Sequence, residues 1–99
     1  MNVRLKARSG ALTLFAELLA EARESLPSDA RRRTEGVAVR IQALPPVEEI
    51  RQGLDPDALT VRKRQDSNVT LTVFQVNHEN RSASESELRT LIARSLTRG

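Results

Sequence analysis

The sequence predicts a small α+β domain, a mixed four-stranded sheet with two main helices and one short helix packed on one face. Three observations lead there. Apolar and polar residues alternate over residues 2–8, 37–43, 59–64 and 69–76, apolar residues recur at helical spacing over 12–26 and 88–96, and turn residues separate these stretches. Ninety-nine residues suit one compact unit, so residues 1–99 are expected to form a single domain.

Val3, Leu5 and Ala7 alternate with Arg4, Lys6 and Arg8, which predicts a half-buried strand ended by Ser9 and Gly10. Ser9 is placed to cap the helix that follows. In that helix Leu12, Phe15, Leu19, Ala22 and Leu26 form an apolar stripe widened by Leu14 and Leu18, with Glu17, Glu21, Arg23 and Glu24 on the far side. Pro27 ends it, and residues 28–33 add a short turn. Val37, Val39, Ile41 and Ala43 then define a second strand, stopped by Pro45-Pro46. Pro46 opens a short amphipathic helix through Val47, Ile50 and Leu54 to the Asp55-Pro56-Asp57 turn. Leu59 and Val61, then the β-branched run Val69–Val76, predict a hairpin turning at residues 65–68. Residues 77–82 read as a polar loop. Ser84 and Glu87 make a capping box ahead of a closing helix carrying Leu88, Leu91, Ile92 and Leu96.

The composition narrows the function classes. With 38% apolar residues and only Phe15 and Phe74 aromatic, the core must be built from Leu, Val, Ile and Ala. A core of that kind gains stability from a partner, so a homodimer or a complex is expected. No cysteine is present, which removes disulfides and thiolate metal sites. No apolar stretch has the length of a signal peptide or membrane span, so the expected location is the cytoplasm, without membrane contact. Basic residues outnumber acidic ones sixteen to thirteen, a net charge of +3, and the preponderance of Arg over Lys fits a GC-rich prokaryotic or phage genome.

Catalytic constellations are hard to find. His78 is the only histidine, so neither a Ser-His-Asp set with a spare histidine ligand nor a two-histidine metal pair forms; in its polar loop it reads as a solvated turn residue. The carboxylate pairs Glu48/Glu49 and Glu85/Glu87 lie in first helical turns, where the helix dipole favours negative charge, and Asp55/Asp57 flank a turn proline. Glycines stand at 10, 36, 53 and 99 without clustering, so no nucleotide-binding fingerprint exists. The expectation is a protein that is not an enzyme, with no cofactor and no metal.

The sharper signal comes from following the strand faces. If Val3/Leu5/Ala7, Val37/Val39/Ile41, Leu59/Val61 and Val69/Leu71/Val73 pack under the helices, the opposite face carries Arg4, Lys6, Arg8, Arg40, Arg62 and Arg64, with Thr70, Thr72 and Phe74 beside them. A basic sheet face bearing an aromatic ring holds single-stranded nucleic acid, cations following phosphates and the ring stacking a base. The first reading is therefore a small nucleic-acid-binding protein whose partner is RNA or single-stranded DNA. The second is a protein-protein interaction module, an assembly or regulatory subunit of phage or plasmid type, that oligomerises through the Val69–Val76 strand or a helix. The Arg31-Arg32-Arg33 run reads as a solvated helical turn. No Gly-x-x-Gly loop of the KH type is present, and Val69–Val76 lacks the glycine and aromatic pattern of an RRM strand.

Overall fold

The computed structural model describes residues 14–98. Within them the chain is α+β, with a mixed three-stranded sheet and five helices. Helix α1 covers residues 14–24 and is followed by α2 (Ser28–Thr34), β1 (Val37–Gln42), α3 (Val47–Arg51), β2 (Thr60–Gln65), β3 (Asn68–Phe74), α4 (Gln75–Asn80) and α5 (Glu85–Arg98). The strand expected over residues 2–8, with Arg4, Lys6 and Arg8, and the Ser9 cap lie outside the described residues.

The sheet order is β1-β3-β2, with β1 parallel and β2 antiparallel to β3. The central place goes to the most apolar and β-branched strand, because there both edges are paired and one face lies on the core. Its inward side chains Leu71 and Val73 join Val37 and, from the helices, Phe15, Leu18, Leu19, Leu26, Ala30, Leu88, Ile92 and Leu96 in one cluster, with Ala22, Val39, Ile41 and Val69 packed against it. Phe15, Leu18, Leu19, Ala22 and Leu26 of the expected stripe thus face the core as their spacing predicts, Leu12 lies outside the described residues, and Leu14 stays 40% exposed at the margin.

Local chemistry sets the helix ends. Pro27 has no N–H to continue α1, and its carbonyl instead accepts the Arg31 N–H to open α2. The half-buried Arg23, expected on the solvent side, donates from Nη2 to the Thr34 and Val37 carbonyls (2.9 and 3.1 Å) and so ties α1 to the start of β1. Ser84 Oγ accepts the Glu87 N–H (3.2 Å), while the Glu87 carboxylate reaches the Ala83 N–H, completing the cap of α5.

Four expectations are corrected. First, residues 77–80 are not a loop but belong to α4, which starts directly after β3, so the strand run ends at Phe74 and not at Val76, and only Arg81 and Ser82 of the expected loop lie outside a helix. Polar residues make the inward side of α4 because each finds a partner. Asn77 Nδ2 donates to the Pro56 and Ala58 carbonyls (2.9 and 2.8 Å), and both ring nitrogens of His78 are hydrogen-bonded. His78 is therefore fully buried, not solvated. Second, α3 does not share the face of the main helices. Its Glu49 pairs with Lys63 and, with Pro46, walls the opposite face of the sheet. Third, Arg62 and Arg64 stand opposite Leu71 and Val69, on the helix side of the sheet, and Val61 faces away opposite Thr72. The hairpin closes through Asp66-Ser67 between the paired Gln65 and Asn68, and a two-residue loop pairs even-numbered β2 residues with odd-numbered β3 residues. The expected face required the other parity. Fourth, Phe74 is fully buried and cannot stack a base.

Candidate functional site

The open face of the sheet is built by register. Arg40 lies opposite Thr72 across β1-β3, and Lys63 opposite Thr70 across β2-β3. Residues directly opposite share a face, so both edge strands project a cation over the threonines of the central strand. Gln42 and Gln65 extend the same rows. Pro46 and Glu49 close one side, giving a bowl of about 260 Å³ lined by Arg40, Gln42, Pro46, Glu49, Lys63, Gln65, Thr70 and Thr72. Lys63 pairs with Glu49, whose side chain is only 18% exposed, whereas Arg40 has no hydrogen-bond or ion-pair partner among the described residues. The bowl holds two cations and one carboxylate, a formal charge of +1.

Around the rim, β2 forms an edge of the sheet among the described residues, and Arg62, Lys63 and Arg64 are all exposed along it. Alternation sends Arg62 and Arg64 to the helix side and Lys63 to the bowl side, so the three cations straddle the edge. Charged side chains on an edge strand also discourage pairing with a foreign strand. Of the sequence-derived set, the structure brings Arg40 to the open face and Arg62 and Arg64 to its border; it removes Phe74, and Arg4, Lys6 and Arg8 lie outside the described residues. Lys63 and Glu49 were missed. The parity of the Asp66-Ser67 turn was the signal for Lys63, whereas the folding of α3 over the open face left none for Glu49.

No ring is available to a ligand on this chain. The sequence holds two phenylalanines, one histidine and no tyrosine or tryptophan, and Phe15, Phe74 and His78 are each fully buried. The imidazole packs against Phe15 in an edge-to-face arrangement, 5.6 Å between centroids and 71° between planes. Burial lowers the His78 pKa below 6.5, opposed by the hydrogen bond with the Phe74 carbonyl and assisted by the positive charge of Arg81. Its pairing with Ser95 Oγ at 2.7 Å has the atoms of a serine-histidine dyad but is sealed from solvent.

A larger hollow, about 730 Å³, separates α1 from α5 over Leu18, Ala22 and Leu26. Its rim residue Arg89 is committed to Glu21 at 2.6 Å and Glu85 at 3.1 Å. Among the described residues no group of three His, Cys, Asp or Glu side chains could hold a metal ion, and no helix is long and apolar enough to cross a membrane. Compared with known proteins, the chain matches no family model and no curated protein sequence.

Proposed function

We propose that this chain is a non-catalytic nucleic-acid-binding protein that follows the phosphate backbone along the β2 edge, with Arg62, Lys63 and Arg64 at the border and Arg40 across the open face. The observation that carries the reading is the placement of three successive exposed cations on an edge strand. Cations so spaced neutralise neighbouring phosphates, and counterion release then drives binding. The burial of every ring supports contact with backbone and not with stacked bases, which departs from the stacking mode that Phe74 suggested. The enclosure of the His78-Ser95 pair supports the absence of catalysis.

The test is fluorescence anisotropy with labelled single-stranded and duplex oligonucleotides across a salt series, comparing the wild type with an Arg62→Glu/Arg64→Glu variant shown by circular dichroism to be folded. Affinity is expected to fall linearly in log-log form with salt, to drop about tenfold or more in the variant at 0.1 M salt, and to differ little between single strand and duplex. Absence of binding at low salt, or an unchanged variant, would overturn the reading.

The rival reading, a protein-interaction module, no longer rests on Val69–Val76, because β3 has both edges occupied. Its support is the exposed pair Leu44 and Val47, 53% and 64% accessible on either side of Pro45-Pro46. Association that survives salt and is lost in Leu44→Ser/Val47→Ser would favour it.

A further inference from the structure

We infer that the bowl between Arg40 and Lys63 is a ribose-phosphate subsite, so that this protein holds RNA in preference to DNA of the same sequence; the inference rests on the nucleic-acid reading above. Charge is the first argument. Two cations and one carboxylate leave a formal +1, which matches the single negative charge of a phosphodiester and falls short of a terminal phosphate group. A site meant only for phosphate would have no use for Glu49, whose carboxylate repels an anion.

The carboxylate is the second argument. Glu49 is held by Lys63 through one oxygen, Oε1, and a carboxylate offers about four lone-pair sites in all. Free acceptor capacity therefore faces the same bowl as Arg40, in a side chain already largely withdrawn from water. A hydroxyl donor satisfies it, and the backbone group that RNA has and DNA lacks is the 2′-hydroxyl, both donor and acceptor. The hydroxyls of Thr70 and Thr72 and the amides of Gln42 and Gln65 supply donors and acceptors from the floor and ends of the bowl. Pro46 gives an apolar wall against which sugar carbons pack. Deoxyribose offers no donor to the Glu49 lone pairs that Lys63 leaves free, and covering a charged acceptor without a donor is costly.

The third argument is exclusion by chemistry. With every aromatic and imidazole ring of the chain buried, the bowl has no surface on which a base stacks, which favours recognition through sugar and phosphate.

The experiment uses three labelled single strands of one sequence, as RNA, DNA and 2′-O-methyl RNA, titrated with the wild type, Glu49→Ala and Arg62→Glu/Arg64→Glu at fixed low salt. The methylated strand removes the 2′ donor while keeping the ribose oxygen. RNA is expected to bind about tenfold tighter than DNA, with the methylated strand near DNA. Glu49→Ala is expected to bring the RNA-to-DNA ratio to about one. The double arginine variant is expected to weaken all three strands and keep the ratio. A wild-type ratio of one, methylated RNA binding as well as RNA, or an unchanged ratio in Glu49→Ala each overturns this inference and leaves the nucleic-acid reading standing. Absence of binding to all three strands overturns both.

Discussion

His78 shows what one buried titratable residue does to stability. The Phe74 carbonyl can only accept, so Nδ1 carries the proton at 2.8 Å from it, and Nε2 then accepts from the Ser95 hydroxyl at 2.7 Å. This neutral tautomer joins the end of β3 to α5 and packs the ring edge-to-face with Phe15 in the core. Because burial lowers its pKa, the unfolded chain binds a proton in a range where the folded protein does not. The stability contributed is complete above pH 6.5 and is lost as the pH falls below 6.5 through the folded-state value. Denaturant titrations between pH 7 and 5.5 are expected to show wild-type stability declining and a His78→Gln variant nearly flat; equal slopes would remove the assignment. None of this is legible in Asn77-His78-Glu79-Asn80, which has the composition of a loop. Inward-facing Asn77 and His78 become acceptable only once the Pro56 and Ala58 carbonyls and Ser95 are placed beside them, and those partners lie roughly twenty residues away in the chain.

Among the elements, α3 depends most on a single backbone angle. Gly53 N–H donates to the Ile50 carbonyl and Leu54 N–H to the Glu49 carbonyl, the paired bonds of a Schellman ending, with Gly53 at φ 111°. No atom lies within 4 Å of where a Cβ would stand, so the position demands glycine for its backbone angle alone. Gly53→Ala is expected to cost about 1–2 kcal/mol in urea denaturation, with the m-value unchanged. The same substitution at Gly36, which also has open space but is not in the left-handed region, provides the control and should cost less. Elements of this kind were largely legible: the described part of the α1 stripe, Pro27 and the Ser84 cap act where the sequence puts them, and Pro46 stands one position earlier than expected, as the N-cap of α3. The face of β2 was not. Leu59 and Val61 alternate as a core-facing strand should, yet the two-residue turn at Asp66-Ser67 fixes the opposite parity, and Asp66 accepts φ 57° to make that turn. Pairing geometry outranked the apolar pattern because an edge strand has little core to face.

Over the whole molecule, a net charge of only +3 makes position matter more than total. Among the described residues, two runs of three cations stand on different elements. Arg31, Arg32 and Arg33 are exposed in the last turn of α2, which leads into β1, while Arg62, Lys63 and Arg64 occupy β2 at the far edge of the sheet. β1 and β2 stand two strand spacings apart, about 10 Å, comparable to the Debye length at 0.1 M salt, and α2 precedes β1 on the chain. A ligand bound along β2 therefore feels α2 through a field that salt removes, and feels its own contacts at any moderate salt. Arg31→Glu/Arg33→Glu is expected to weaken nucleic-acid binding several-fold at about 0.02 M salt, where the screening length is longer, and by less than twofold at 0.15 M. Arg62→Glu/Arg64→Glu should remain the weaker binder at both. If the α2 variant instead lost affinity equally at both salts, α2 would be in direct contact with the ligand. The phosphate path would then run along the β1 edge, and the bowl would be entered from Arg40 instead of Lys63.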